Sequence, residues 1–118
     1  ESFIASFKNN YQNKQIKLPT LTGFKIVNTE DILYLESDSN YTHVHFKDGN
    51  KELVSKTLKE FQGNLAPDLF CRIHNSYIIN LDSVKEYIKG RGGQVILMNN
   101  KSLGVSQNRK KNFLKHWN

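Results

Sequence analysis

The stretch FCRIHNSYIINLDSV, Phe70 to Val84, decides how the rest of the chain is read. Its segment Tyr77-Ile78-Ile79 is apolar and rich in β-branched residues, as in a strand returning to a core. Just upstream, Arg72, His74, Asn75 and Ser76 place four polar side chains within five residues. A buried strand does not carry so many hydrogen-bonding groups, and a surface loop is not followed at once by three apolar residues. The stretch therefore reads as two short strands, Phe70–Ile73 and Tyr77–Ile79, whose connection presents polar groups to something outside the fold.

Outward from this pair, short apolar or alternating segments recur at Ile16–Leu18, Phe24–Val27, Ile32–Glu36, Tyr41–Phe46, Lys51–Val54, Val84–Lys89, Gln94–Met98 and Ser102–Val105. With turn residues between them, their spacing predicts a mainly β domain, not strands alternating with long helices. Asp48-Gly49 and Asn99-Asn100 can both hold the positive φ values that a type I′ turn requires, and so support hairpins. Leu58, Phe61 and Leu65 recur at helical spacing before Pro67 and predict one short helix. A second helix is expected near the end, with Ser106 as its N-cap and Phe113, Leu114 and Trp117 as its apolar stripe.

At 118 residues the chain is one domain's worth. Residues 1–15, polar with scattered aromatics, read as a linker or the tail of a preceding domain, and 16–118 as the domain itself. No apolar run approaches the ~20 residues of a membrane span. A single cysteine, Cys71, forms no internal disulfide and fits a reducing compartment, so the protein is expected in the cytoplasm. The charge is unevenly placed. Residues 1–82 hold nine Lys/Arg and ten Asp/Glu, net −1, whereas 83–118 hold eight Lys/Arg and only Glu86 as an acid, net +7. Such clustering is the footprint of a phosphate-binding face, and equally that of a lysine-rich solvated surface.

Arg109, Lys110 and Lys111 follow directly behind the Ser106 cap. A helix N-terminus already carries about +0.5 of partial charge, so cations there are disfavoured unless an anion joins them. A nucleic-acid phosphate would suit. Asn75 and Asn108 are the candidates for base edges, since a side-chain amide both donates to and accepts from adenine in the major groove, and Arg109 would donate to O6 and N7 of guanine. His43 and His45 share a strand face, and with His74, Glu36 or Asp38 could be read as metal ligands, but strand alternation already accounts for them and no metal is expected. A Ser76 nucleophile with His74 as its base lacks an elbow and an oxyanion hole, so no enzyme and no cofactor is expected.

Taken together, FCRIHNSYIINLDSV, DILYLESDSNYTHVHFKDG, LVSKTLKEFQGNL and LGVSQNRKKNFL resemble, in order and spacing, four segments of the LytTR DNA-binding domain. That domain closes response regulators of the LytR/AlgR type. The resemblance implies an elongated fold of about ten short strands in small sheets, with one internal helix and a C-terminal helix. It further implies sequence-specific reading of double-stranded DNA by loops, at paired direct repeats that are bent. The implied loops map onto Asn40, Tyr41 and Thr42, onto His74–Ser76, and onto Gln107–Lys110. Adding Arg72, which matches the motif, the expected DNA-binding residues are Asn40, Tyr41, Thr42, Arg72, Asn75, Ser76, Asn108, Arg109, Lys110 and Lys111. A receiver domain before residue 16, a sensor histidine kinase acting on it and a homodimer formed through it are implied as partners. This chain departs from the family pattern where many members have Arg, with Asn75 after His74, and with Gln107 and Asn108 before Arg109. The rival reading from composition is a β domain whose basic face meets an acidic protein or ligand.

Overall fold

A computed structural model describes residues 14–117. Ten strands form: β1 (Gln15–Thr20), β2 (Gly23–Asn28), β3 (Ile32–Asp38), β4 (Tyr41–Phe46), β5 (Lys51–Val54), β6 (Phe70–His74), β7 (Tyr77–Asn80), β8 (Val84–Ile88), β9 (Gln94–Leu97) and β10 (Ser102–Gly104). Two α-helices, α1 (Leu58–Gln62) and α2 (Gln107–Leu114), complete the main elements. All the expected strands and both helices are present; strand ends differ by a residue or two, while α1 stops at Gln62, short of Leu65, and α2 at Leu114, short of Trp117. The expected linker falls almost wholly outside the described residues, and β1 begins at Gln15 within it.

The strands make three antiparallel sheets: a two-stranded ribbon β1-β2, a five-stranded sheet β5-β4-β3-β7-β6, and a three-stranded sheet β10-β9-β8. The radius of gyration is 14.7 Å, with extents of 46 × 38 × 25 Å. A compact domain of this size would have about 13 Å, so the molecule is mildly elongated.

Both faces of the five-stranded sheet are covered. On one, Leu18, Ile32, Leu35, Val44, Val54, Leu58, Phe61 and Ile78 form a core beneath α1 and the ribbon. On the other, Leu33, Tyr34, Ile73, Ile79, Val95, Leu97, Leu103 and Phe113 form a second core beneath α2 and the small sheet. Plain alternation would not put both Leu33 and Tyr34 on one face. A bulge does so: Ile32 pairs with Phe46 and Tyr34 with His45, leaving Leu33 as the extra residue.

The turn chemistry differs from expectation. Gly49 has φ +94° and Asn100 φ +70°, but neither Asp48 nor Asn99 is positive. Gly49 N–H donates to Phe46 O, and Asn100 N–H to Leu97 O. Each hairpin is thus a three-residue loop ending in a left-handed residue, not a type I′ pair. The Asp48 and Asn99 carboxylate and amide oxygens stabilise these loops by accepting from the N–H two residues on. Helix α1 is held by a reciprocal cap in which Thr57 Oγ1 accepts from Glu60 N–H and Glu60 Oε1 accepts from Thr57 N–H.

Candidate nucleic-acid interface

Antiparallel pairing places the two central turns of the large sheet at the same end. Ser39 and Asn40 connect β3 to β4, and Asn75 and Ser76 connect β6 to β7. Strands β3 and β7 are neighbours, and Ser37 N–H donates to Ser76 O at 3.0 Å, which locks one turn beside the other. A third connection joins them from the small sheet. Ser106, at the start of α2, donates its N–H to Ile73 O at 2.8 Å. Three segments separated by some thirty residues each are thereby drawn to one edge.

The β6–β7 turn has an internal scaffold. Asn75 and Ser76 have no positive φ, so the turn does not match the twist of its strands. A bulge at Ile73, between the pairs Arg72–Ile78 and His74–Tyr77, accommodates it. Arg72 reaches over the turn, donating from Nε to His74 O at 3.1 Å and from Nη2 to Asn75 O at 2.6 Å. Its Nη1 donates to Gln62 Oε1 of α1 at 3.0 Å. His74 Nδ1 accepts from Ser76 N–H at 3.1 Å, which fixes that nitrogen as the unprotonated one. With its backbone held on every side, the Asn75 side chain stands exposed at the tip.

Asn75 and Arg109 meet. Arg109 Nη2 lies 3.5 Å from Asn75 Oδ1, at the outer limit of a hydrogen bond, across 34 residues of sequence. The three consecutive cations of α2 diverge because successive helical residues are about 100° apart. Arg109 turns toward the β6–β7 turn, Lys110 Nζ toward Gly90 O at 3.4 Å, and Lys111 into solvent. Ser106 holds the N-cap position, but its hydroxyl does not cap. Its single proton is shared between two acceptors, Ile73 O at 3.3 Å and Asn108 Oδ1 at 3.0 Å. The first turn of α2 thus presents backbone N–H groups and cations without a side-chain acceptor. Only Phe113 of the expected apolar stripe is fully buried, with Leu114 and Trp117 lining a surface groove beside Val84 and Tyr87.

At the β3–β4 turn, Asn40 and Tyr41 are exposed. Thr42 is not. It is fully buried and its hydroxyl donates to Lys56 O at 2.6 Å, so it anchors the hairpin and presents nothing outward. Behind this turn, His43 pairs with Asp38 at 2.9 Å and His45 with Glu36 at 3.1 Å, while the His45 ring stacks on Tyr34 at 4.2 Å. Among the described residues no three potential ligands converge on a metal position. Burial pushes His45 below its ordinary value even though Glu36 pulls it up. Tyr34 is pushed up to about 12, first by burial and then by Glu36 and Tyr77.

One element beside this edge was not singled out in the sequence: the β8–β9 loop, with Lys89, Gly90, Arg91, Gly92 and Gly93. Gly93 O accepts from Val105 N–H at 3.0 Å, which brings the loop against the start of α2. Gly93 has φ +53°, and a Cβ there would sit 3.0 Å from Tyr87 Oη and 3.4 Å from Lys110 Cε. The signal available was two cations interleaved with three glycines, in a third of the chain already known to be basic.

Comparison with known proteins gives a consistent result. A family model described as the LytTr DNA-binding domain matches residues 22–118. The CO-responsive transcriptional regulator RcoM of Rhodospirillum rubrum is 35% identical over 74 residues, 63% of this chain. Those residues are only 31% of the length of that relative. Among solved structures, the LytTr DNA-binding domain of a methyl-accepting/DNA response regulator from Bacillus cereus superposes with a TM-score of 0.75 at 26% identity. That likeness covers 87% of this chain and 95% of the other.

Proposed function

This chain belongs to the LytTR DNA-binding domain family, and from that premise we propose that it reads duplex DNA through the major groove with three connections at one edge of its sheets. The observation that carries the reading is the meeting of Asn75 and Arg109. A base-reading amide from the β6–β7 turn and a guanidinium from α2 meet at one edge that also holds the exposed Asn40 and Tyr41. Asn75, Asn108 and Arg109 carry sequence preference, and Asn40 and Tyr41 add contacts from the first turn. Ser76 contributes beside Asn75. Lys110, Lys111 and Lys115 grip phosphates and set register and affinity. The uncapped first turn of α2 favours the same ligand, because a phosphate oxygen meets its free N–H groups at the positive end of the helix dipole. Arg72 acts by holding the turn in shape, with base edges left to Asn75.

In the cell the domain is the output part of a cytoplasmic two-component regulator, binding paired direct repeats and bending them. The family supports a receiver domain, a histidine kinase and a receiver-mediated homodimer as its partners. The partial coverage of the Rhodospirillum rubrum regulator supports a place for such a domain within a longer chain.

Titration of specific and random duplexes over a range of salt tests the division of roles. Lys110→Ala is expected to weaken binding to all sequences alike and to lower the salt slope by about one. Asn75→Ala or Arg109→Ala is expected to cost about 1–3 kcal/mol on the preferred site and to blur selectivity there. Equal losses on specific and random DNA by all three variants would overturn the assignment.

A further inference from the structure

A cleft of about 330 Å³ opens between α1, β6 and α2, behind the β6–β7 turn. Its walls carry Arg72, Arg109, Lys115 and His116, and among the described residues no carboxylate lines it. Its floor is apolar, formed by Leu65 and Phe70 with Pro67 and Ile78. Gathering cations with no acid among them is unfavourable, and the strain is visible at two side chains. Arg109 Nε is buried and, among the described residues, has no acceptor, an unfavourable state for a donor. Arg72 is depressed below its ordinary value, first by burial and then by the like charge of Arg109. The positive field also reaches the buried Cys71 thiol, where Arg109 and Lys115 oppose the upward push of burial.

We propose that this cleft is an anion site that takes a phosphate or carboxylate group, with an apolar body seated on its floor. An oxyanion there would pair with the guanidinium groups of Arg72 and Arg109 and with the Lys115 ammonium. The volume fits a small organic acid or phosphomonoester, and it equally fits a single backbone phosphate of DNA. Occupancy bears on recognition, because Arg109 serves both the cleft and Asn75. An anion that draws Arg109 inward takes it from the turn. That coupling rests on the DNA-reading role proposed above, but anion binding itself does not, so the two can fail separately.

The test has two arms. In the first, the protein without DNA is titrated with inorganic phosphate and with benzoate while NMR follows Arg109 Nε–H and the amides of Asn112, Lys115 and His116. Saturable shifts confined to these positions are expected, with affinity falling about tenfold or more in Lys115→Gln and unchanged in Lys101→Gln, a cation remote from the cleft. In the second arm, the salt slope of DNA binding is measured for Lys115→Gln. An unchanged slope beside saturable anion binding identifies a freely diffusing anion as the occupant. A slope lowered by about one beside saturable shifts identifies a backbone phosphate, whereas a lowered slope with absent or scattered shifts leaves Lys115 on phosphate outside the cleft and overturns the proposal. Absent or scattered shifts together with an unchanged slope overturn the proposal.

Discussion

Arg72→Lys separates a side chain that shapes the reading turn from one that grips DNA. Arg72 makes three hydrogen bonds from one planar fork: to His74 O, to Asn75 O and to Gln62 Oε1. A lysine ammonium keeps the charge but can restore about one of them, because its single nitrogen cannot span the fork. Two bonds from a charged donor are then lost. Each contributes about 1.5–3 kcal/mol when well buried, but this side chain is half-buried, so a total of about 1–2 kcal/mol is expected. Urea denaturation should show this as a lower midpoint with an unchanged slope. The loosened turn should weaken the preferred duplex roughly tenfold, equivalent to about 1.4 kcal/mol, while binding to random duplexes and the salt slope stay as they were. A variant that retains wild-type stability would refute the clamp. So would one that loses specific and random binding together, which would make Arg72 a direct phosphate contact.

The other predictions address the scaffold. Thr57→Ala removes one half of the reciprocal cap on α1 and should lower stability by about 1 kcal/mol in denaturant titration. Ser39 sits at φ +56° in the β3–β4 turn, so Ser39→Gly should raise stability by about 0.5–1 kcal/mol; no gain in the thermal midpoint would contradict the strain argument. His45 resists protonation in the fold more than in the unfolded chain, since burial outweighs the Glu36 hydrogen bond. Its contribution is therefore fully present above the ordinary histidine value of 6.5 and is lost as pH falls through its lower folded value. His45→Phe, which keeps an aromatic ring over Tyr34, should flatten the stability profile between about pH 7 and pH 5, as read from urea midpoints.

The strands were legible because alternation and turn residues are local signals. Tyr41 to Phe46 alternates cleanly, and the structure seals Thr42 and Val44 on the inner face. The bulges at Leu33 and Ile73 were not legible, since an apolar run such as Ile32-Leu33-Tyr34-Leu35 does not announce where its alternation restarts. Turn types were half legible. Gly49 and Asn100 adopt left-handed backbone, but their partners do not, because loop length and not residue preference alone sets the geometry. At the edge itself, residue chemistry selected Asn75 and Arg109, but only the topology brings them within 3.5 Å. Thr42 was placed in the first loop by its position in the chain, and strand parity turns it inward. The Arg72 fork and the glycine-rich β8–β9 loop depend on contacts between distant segments, which no short window of sequence contains.

The hydrogen bonds that hold the three connections in place come chiefly from backbone atoms: Ser76 O, Ile73 O, His74 O and Asn75 O. Main-chain atoms are common to every residue type. The exposed tips can therefore change identity while both interiors stay untouched, and a lineage could acquire a new operator through a few surface exchanges without first surviving a less stable intermediate.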